Sequence, residues 1–181
     1  MNIIIIGCGK VGLTLTKQLL DEGHAIAVID TDPDVIESIT TSLDVMGVVG
    51  NGASYIIQQE AGIESADLMI AVTESDELNL LCCLIAKKAG DCHTIARVRN
   101  PVYHKEISFL KESLGLTMIV NPDSAAATEI SRILRRRSVL DINPFAKGRV
   151  EMLKIRIDEN SPLIGLPLYE LPKKLRCEVL I

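Results

Sequence analysis

The first 137 residues predict an α/β fold, a Rossmann-like doubly wound parallel sheet of six strands. Two observations lead to this prediction. Six short apolar runs recur at even spacing with helical patterns between them, and each run is nearly continuous rather than alternating. Continuous apolar runs are typical of parallel strands that are buried on both faces. Right-handed crossovers between such strands give, most simply, the strand order 3-2-1-4-5-6.

The opening segment, Met1–Asp30, predicts a dinucleotide-binding unit at the start of this sheet. A short apolar run ends in a glycine-rich turn, and an amphipathic helix, a second apolar run and Asp30 follow; the turn reads Gly7-Cys8-Gly9-Lys10-Val11-Gly12. Strand, glycine turn, helix, strand and acid occur here in the order that such a unit requires. A glycine motif alone is weak evidence, but the elements around it favour the functional interpretation.

Each glycine of the turn has an expected physical role. Gly7 lets the chain leave the strand sharply, Gly9 leaves room for a pyrophosphate, and Gly12 lets the helix pack close to the sheet. The helix amino terminus offers unpaired N–H groups and partial positive charge to phosphates. Asp30 can accept hydrogen bonds from both hydroxyls of a ribose and would repel a 2′-phosphate. The pattern therefore favours NAD(H) over NADP(H).

The apolar runs and the helical patterns give the bounds of the remaining elements. The predicted strands are Asn2–Ile6, Ala25–Asp30, Val45–Val49, Leu68–Val72, Thr94–Val98 and Thr117–Val120. The predicted helices are Lys10–Glu22, Pro33–Ser42, Tyr55–Ala61, Asp76–Lys88, Tyr103–Leu114 and Asp123–Arg137. Asp32-Pro33 places a cap residue before a proline at the first helical position. Thr73 with Asp76 resembles a capping box, and we expect Gly90 to end that helix.

In this topology the ligand lies at the carboxyl ends of strands 1 and 4, where the strand order reverses. Strand 3 ends in Asn51, Gly52 and Ala53, small residues that leave space for an adenine, although Asn51 could equally serve only a turn. Strand 4 ends in Thr73-Glu74, and Thr73 is also interpretable as a helix cap. The guanidinium of Arg97, after strand 5, could approach a phosphate or stay solvated, and the same two interpretations apply to Lys10.

Composition excludes several classes of function. The formal net charge of −5 does not indicate general binding to nucleic acid or anionic lipid. No apolar run approaches the ~18 residues of a membrane helix. Five cysteines without a CxxC pair favour reduced thiols in a cytosolic protein. Cys8 lies at a helix amino terminus, which lowers the pKa of a thiol, but a small apolar filler is the simpler interpretation than a redox group.

The character of the sequence changes after Arg137. Ser138–Gly148 has the composition of a linker, and Glu151–Ile157 alternates like a half-exposed strand. Turns are predicted at 160–162 and 165–167, and Cys177–Ile181 begins another strand. We therefore expect a first domain over residues 1–137 and, over 138–181, a linker and the truncated start of a small α+β domain.

Six segments of the chain resemble a known family: IIIIGCGKVG, VIDTD, GNGAS, AVTESDELNLLCCLIAKK, IARVRNP and IVNPDSAAATEI. In this order they are similar to the TrkA family, which consists of regulatory subunits built from RCK (KTN) domains that regulate potassium conductance. The resemblance covers Met1 to about Arg137. DINPFAKGRVEMLKIRI and SPLIGLPL resemble the first half of the small C-terminal domain that follows in this family.

The resemblance implies a function that composition alone does not. Such subunits bind NAD(H), or ATP or ADP, at the glycine loop, and they assemble as homodimers and rings. They are cytoplasmic and act at the inner face of the membrane on a potassium-translocating subunit. Carried over by motif, the cofactor-binding residues are Gly7, Cys8, Gly9, Lys10, Val11, Gly12, Asp30, Thr31, Gly52, Ala53, Thr73, Glu74 and Arg97.

This interpretation has one departure from the family pattern, one unassigned acidic residue and two alternatives. The family often has an aspartate where this chain has Asn51, and some relatives bind a divalent cation near the position of Asp123, where we assign no metal.

An NAD-dependent oxidoreductase without its substrate domain is the first alternative function; it would need an acid–base residue near the nicotinamide. A nucleotide-sensing repressor would need a DNA-binding domain before the sheet. We expect a regulator without catalytic residues.

Overall fold

Six strands form one sheet in the computed structural model, which describes residues 1–104, 106–135, 139–145, 150–171 and 174. The strands are β1 (Asn2–Ile6), β2 (Ala25–Asp30), β3 (Met46–Val49), β4 (Leu68–Ala71), β5 (His93–Arg97) and β6 (Met118–Val120). Their order is β3-β2-β1-β4-β5-β6, and every neighbouring pair is parallel. The predicted Rossmann-like sheet and its strand order are therefore confirmed.

Seven α-helices are described along the chain. They are α1 (Lys10–Asp21), α2 (Pro33–Ser42), α3 (Tyr55–Glu60), α4 (Asp76–Gly90), α5 (Pro101–His104), α6 (Ile107–Leu114) and α7 (Pro122–Arg135). The chain divides into two compact units, Met1–Ala127 and Thr128–Ile181. None of the helices that can be described has the length and hydropathy needed to cross a membrane.

The core lies on both faces of the sheet because successive side chains of a strand point to opposite faces. Ile4 and Ile6 belong to one cluster of buried residues, and Ile3 and Ile5 belong to the other. All four isoleucines are at most 2% exposed. The continuous apolar run of the first strand is thus explained by burial on two sides, as the sequence predicts.

The helix predicted over Tyr103–Leu114 is wrong in one respect, because two helices occupy this region. Proline is tolerated at the first position of a helix, so α5 already begins at Pro101. The side chain of Asn100 accepts a hydrogen bond of 3.0 Å from the N–H of Val102. Glu106 then has a non-helical backbone (φ −108°, ψ 4°), and α6 begins after it.

Helix α4 begins at Asp76 as predicted, but its amino-terminal cap and its carboxyl end differ from the prediction. Ser75 is the amino-terminal cap, since its hydroxyl accepts a hydrogen bond of 3.1 Å from the N–H of Leu78, and the predicted capping box of Thr73 and Asp76 is wrong. At the other end, Gly90 is still helical and Asp91 adopts the left-handed conformation (φ 51°). Gly90 is needed for a different reason: a methyl group there would overlap with the carbonyl oxygen of Ile63.

In the second unit, β7 (Val139–Phe145) pairs antiparallel with β8 (Val150–Ile155). The strand predicted over Glu151–Ile157 is confirmed with slightly different bounds. The linker predicted over Ser138–Gly148 is wrong in the part that the structure describes, because residues 139–145 form β7. Asp141, Asn143 and Pro144 lie within this strand, where Pro144 pairs with Glu151. Both strands of a two-stranded sheet are edge strands, and an edge strand tolerates a proline. The strand predicted at Cys177–Ile181 lies outside the described residues.

Candidate nucleotide-binding site

The glycine turn of 7–12 joins β1 to α1, and two of its glycines are required by the protein itself. Gly7 has a φ of +94°, and a methyl group there would lie 2.8 Å from the backbone nitrogen of Thr73. A methyl group at Gly12 would overlap with the carbonyl oxygen of Gly7. These two positions therefore allow the sharp turn and the close packing of α1 that the sequence predicts.

Gly9 has no comparable role in the fold. Its φ of −65° is open to any residue. Apart from its two neighbours in the chain, no residue that the structure describes has an atom within 4 Å of a methyl group placed on Gly9. Packing and backbone conformation therefore do not explain a glycine at this position.

The amino terminus of α1 begins beside this open space. Gly9 is the cap residue and has no side chain with which to cap the helix. Its carbonyl accepts from the N–H of Leu13 at 2.9 Å, but the N–H groups of the first turn, such as those of Lys10 and Val11, have no intrahelical acceptor. By contrast, the carboxylate of Asp32 accepts from the first turn of α2 at 2.9 Å. The first turn of α1 thus offers N–H groups to an external anion.

Asp30 lies at the end of β2 and faces the turn. One carboxylate oxygen accepts a hydrogen bond of 2.7 Å from the N–H of Cys8, and the other accepts one of 3.1 Å from the N–H of Asp32. Each oxygen keeps further acceptor capacity. The carboxylate therefore holds the turn in place and can still accept hydrogen bonds from a ligand.

Cys8 is buried within the turn. Burial, with the nearby charge of Asp30 as a smaller cause, raises the pKa of the Cys8 thiol to about 12. The expected lowering of this pKa by the helix terminus is wrong, because the loss of hydration outweighs it. Cys8 therefore acts as a small apolar residue, as the simpler interpretation of the sequence has it.

Three predicted residues extend the site toward solvent. Lys10, Val11 and Thr31 are all exposed. Lys10 and Val11 belong to the first turn of α1, and Thr31 follows Asp30 directly. The three side chains lie beside the glycine turn and are accessible to a ligand.

The loop after β3 has less open space than the sequence predicts. A methyl group at Gly52 would overlap with the side chain of Ile6, so the space beside this glycine is filled by the core. Asn51 accepts a hydrogen bond of 2.9 Å from the N–H of Ala53 and thereby stabilises a turn. Ala53 is half-buried in this loop.

Gln58 fixes this loop and is a residue that the sequence analysis missed. Its side chain is fully buried and donates hydrogen bonds to the carbonyls of Gly52 at 2.7 Å and Cys82 at 3.1 Å. It thereby joins the loop after β3 to helix α4. In the sequence, Gln58 stands beside Gln59 and Glu60, so no local signal distinguishes it from its polar neighbours.

The ends of β4 and β5 are joined by Asn79, a second residue that the sequence analysis missed. Asn79 is fully buried in α4 and accepts from both the N–H and the hydroxyl of Thr73, at 2.8 Å and 2.7 Å. Its amide nitrogen donates to the carbonyls of Thr73 at 3.2 Å and Arg97 at 2.9 Å. Thr73 is therefore held by Asn79 and does not cap α4, contrary to that interpretation of the sequence.

Arg97 does not extend freely toward a phosphate. Its Nη2 donates a hydrogen bond of 2.7 Å to the carbonyl of Thr73. Its Nε is buried and has no hydrogen-bond partner among the described residues. The guanidinium thus lies against the end of β4. It is neither fully solvated nor free to extend toward a phosphate, so neither interpretation of the sequence describes it completely.

A cleft of about 350 Å³ opens over the carboxyl ends of β4, β5 and β6. Residues that are mostly polar or acidic line it: Glu74, Ser75, Asp76, Glu77, Arg99, Asn100 and Asp123. Of the predicted cofactor-binding residues, only Glu74 belongs to this lining. In the described part of the chain, no group of three or more His, Cys, Asp or Glu side chains is placed to hold a metal ion.

The carboxylate of Glu77 is engaged on the rim of this cleft. It accepts hydrogen bonds from the hydroxyls of Tyr103 at 2.7 Å and Ser75 at 2.9 Å. These bonds, that of Tyr103 foremost, lower the pKa of Glu77. Asp76, which is almost buried, accepts from the N–H groups of Arg99 at 2.9 Å and Asn100 at 2.7 Å and so fixes the turn after β5.

Comparison with known proteins shows the family to which this chain is similar. The family model of the TrkA-N domain matches residues 3–122. The chain is 34% identical over 170 residues to the Trk system potassium uptake protein TrkA of Halomonas elongata, a match that covers 93% of this chain and 37% of that protein. The chain thus spans less than half the length of this relative.

Two solved structures have the same fold. The TrkA-N domain of the inner membrane protein ybaL from Escherichia coli is 25% identical, with a TM-score of 0.66 over 74% of this chain and 96% of that domain. The GsuK channel bound to NAD is 19% identical, with a TM-score of 0.61 over 81% of this chain and 25% of that one. The family model covers well over half of the sequence, and the chain belongs to the TrkA-N family.

Proposed function

We propose that the unit Met1–Ala127 binds NAD(H), or ATP or ADP, at the turn between β1 and α1. One observation carries this proposal: α1 begins at a glycine that packing does not require, and this glycine leaves the first turn of the helix uncapped. Backbone N–H groups at such a helix terminus, together with its partial positive charge, suit a diphosphate. A side chain on Gly9 would occupy the space that we assign to the diphosphate.

We assign the remaining parts of the nucleotide to residues at or after the ends of the neighbouring strands. Asp30 holds Cys8 and keeps spare acceptor capacity, so we assign its carboxylate to the adenosine ribose. Its charge favours NAD(H) over NADP(H). Thr31 and Ala53 lie on the same side, and Thr73, Glu74 and Arg97 lie at the ends of the strands across β1. The GsuK channel, which shares this fold, has been solved bound to NAD, and this supports the same class of nucleotide here.

We further infer that the protein is a regulatory subunit of a Trk-type potassium uptake system. The Halomonas relative bears the name of such a system. We propose that the chain acts in the cytoplasm as part of a homodimer or a ring, bound to the inner face of a potassium-translocating membrane protein. Residues 138–181 would then comprise a linker and the start of the family's second, smaller domain.

The proposed mechanism is a shift between two conformations and involves no reaction of the nucleotide. To change a two-state ratio from 1:99 to 99:1, a ligand must bind one state about 10⁴-fold more tightly. Several identical sites in a ring can share that free energy. Burial raises the pKa of the Cys8 thiol to about 12, which disfavours a thiolate nucleophile in the glycine turn.

Isothermal titration calorimetry of NADH, NAD, ATP and ADP tests the proposed site. We expect Asp30→Ala to weaken each ligand by about tenfold or more, because a charge-assisted hydrogen bond to ribose contributes on the order of 1.5–3 kcal/mol. Asp44→Ala is the matched control, since Asp44 is exposed and lies just before the opposite, amino end of β3. The proposal fails if the wild-type chain binds none of these nucleotides, or if both variants bind them equally well.

Small-angle scattering of the assembled protein with NADH and with ATP tests the regulatory part. We expect the two nucleotides to give different profiles, since each would stabilise a different arrangement of subunits. Identical profiles at saturating NADH and ATP would contradict the mechanism while leaving the binding site intact.

A further inference from the structure

We propose that Asn79 is a positioning residue that makes the hydroxyl of Thr73 an acceptor toward the nucleotide. The ligand group that meets Thr73 is then a hydrogen-bond donor, and we assign it to a hydroxyl of the second ribose of a dinucleotide. This inference rests on the proposed nucleotide site and assigns a part of the ligand to one residue.

The amide of Asn79 has no freedom to change its orientation. It is fully buried, and both of its ends are engaged: Oδ1 accepts from two groups of Thr73, and Nδ2 donates to the carbonyls of Thr73 and Arg97. An asparagine side chain has two donors and one oxygen with two lone pairs. All of this capacity is used. Rotating the amide by 180° would place its NH2 group against the N–H of Thr73 and its oxygen against the carbonyl oxygens of Thr73 and Arg97.

Both hydrogen-bond donors of Thr73, its N–H and its hydroxyl, are therefore already used within the protein. Its N–H is bonded to Asn79, and its single hydroxyl proton points to the same oxygen at 2.7 Å. The nearest other acceptor for that proton is the carbonyl of Ser75 at 3.3 Å, which is again a group of the protein. The half-buried hydroxyl therefore presents only lone pairs to a ligand. A phosphate oxygen is also an acceptor and would be repelled, whereas a sugar hydroxyl can donate.

The position of Thr73 indicates which part of a dinucleotide it would contact, namely the nucleoside beyond the diphosphate. Strands β2 and β4 flank β1 on opposite sides. Asp30, at the end of β2, bonds to the glycine turn, and Thr73, after β4, approaches the same turn so closely that a methyl group on Gly7 would lie 2.8 Å from its nitrogen. With the diphosphate at the turn and the adenosine at Asp30, the group beyond the diphosphate reaches Thr73. That group is a ribose in NAD(H) and ADP-ribose, and it is absent from ADP.

Calorimetric titration of ADP and ADP-ribose tests this assignment. We expect the wild-type chain to bind ADP-ribose more tightly than ADP and Thr73→Val to reduce this ratio of affinities roughly fivefold, as for the loss of one hydrogen bond. Thr73→Ser, which keeps the hydroxyl, should preserve the ratio. Thr41→Val is the matched control, since Thr41 is exposed on α2. An unchanged ratio in Thr73→Val would overturn the inference.

Titration with NADH as well distinguishes two hydrogen-bond donors of a dinucleotide, the hydroxyl of the second ribose and the carboxamide of the nicotinamide. ADP-ribose lacks the carboxamide of NADH. If Thr73→Val weakens NADH but leaves the ratio for ADP-ribose unchanged, the donor is the carboxamide and the assignment to ribose is wrong. If the wild-type chain binds neither ADP nor ADP-ribose, the proposed function fails as well. If ADP binds in a manner that depends on Asp30 and the ratio does not depend on Thr73, only this inference fails.

Asn79→Ala tests the positioning role. Without the amide, the hydroxyl proton of Thr73 can turn toward the ligand, so the ratio of ADP-ribose to ADP affinity should fall in this variant too. Adding Thr73→Val should then reduce the ratio no further. A merely structural role would weaken both ligands equally and leave the ratio unchanged, which would overturn the claim for Asn79. If Asn79→Ala does not fold, as judged by circular dichroism, Thr73→Val and Thr73→Ser decide the inference.

Discussion

The carboxylate of Asp30 accepts a hydrogen bond of 2.7 Å from the backbone N–H of Cys8. The two residues are far apart in sequence, and the bond ties the end of β2 to the turn that follows β1. The acid that the motif assigns to a ribose therefore also fixes the loop that we assign to the diphosphate. We therefore expect substitutions of Asp30 to affect both folding and nucleotide binding.

Substitution of Asp30 should accordingly affect the protein without its ligand. Asp30→Ala leaves the partly buried N–H of Cys8 without an acceptor. We expect the free energy of unfolding to fall by about 1–2 kcal/mol. Asp30→Asn keeps one acceptor oxygen and should lose less. Urea denaturation measures both, with Asp44→Ala as the control; equal midpoints for wild type and Asp30→Ala would show that this bond does not stabilise the turn.

Gly9→Asp should change stability and nucleotide affinity in opposite directions. An aspartate at the cap position can accept hydrogen bonds from the uncapped first turn of α1, and caps of this kind contribute about 1 kcal/mol. The added side chain has room, but it fills the proposed phosphate space and its charge repels the ligand. Thermal unfolding without nucleotide and titration with ADP measure the two effects.

Two further variants sharpen this test. Gly9→Asn should stabilise the protein to a similar extent and weaken ADP less, because it caps the helix without a charge. Gly12→Ala should destabilise the protein, because its methyl group overlaps with the carbonyl oxygen of Gly7. A Gly9→Asp protein that binds ADP as tightly as the wild type would contradict the proposed position of the diphosphate.

The sequence predicts those parts of the molecule in which neighbouring residues carry the signal. The first strand, the glycine turn, the first helix and Asp30 lie within thirty residues, and the structure has them where the motif predicts. The parallel strands could be predicted because burial on both faces leaves continuous apolar runs. Five of the twelve strand ends differ from the prediction by one residue, since the last apolar residue of a run and the last paired residue need not coincide.

The parts that could not be predicted depend on contacts between distant residues. Asn79 binds Arg97, and Gln58 binds the carbonyl of Cys82, so neither role is visible in a local pattern. Gly52 looks like space for a ligand, but the side chain of Ile6 occupies it. The residues around Pro144 have a linker composition and nevertheless form a strand, because pairing with β8 decides their conformation.

The hydrogen bond from Tyr103 to Glu77 should make stability depend on pH. It lowers the pKa of Glu77 below its ordinary value of 4.5 and raises that of Tyr103. A carboxyl whose pKa is lowered in the folded state stabilises that state above its ordinary pKa, and the contribution disappears as the pH falls through the lowered value. Tyr103→Phe should therefore be less stable than the wild type at pH 7, and this difference should diminish as the pH falls below 4.5.

Nuclear magnetic resonance of the Glu77 side chain checks the cause directly, since its pKa should rise in Tyr103→Phe. Tyr55→Phe is the matched control, because Tyr55 is exposed, and the side-chain hydrogen bonds described for Glu77 come from Tyr103 and Ser75. A pKa of Glu77 that is the same in wild type and Tyr103→Phe would contradict the assignment.

The thiols of the described cysteines should be inert in the native protein. Cys8, Cys82, Cys83 and Cys92 are buried and not linked by disulfides, and burial raises the pKa of each, to about 12 for Cys8 and Cys82. In a Cys177→Ser background, Ellman's reagent at pH 8 should react with these thiols only after denaturation. Rapid reaction of Cys8 in the native state would show that the glycine turn opens without ligand.

The central claim is that the turn between β1 and α1 holds a diphosphate. A crystal structure of the chain with NADH tests it most directly. We predict that phosphate oxygens accept hydrogen bonds from N–H groups of the first turn of α1, with the adenosine ribose on the carboxylate of Asp30. A nucleotide bound elsewhere, such as in the cleft between Glu74 and Asp123 alone, with the turn left empty, would contradict the account.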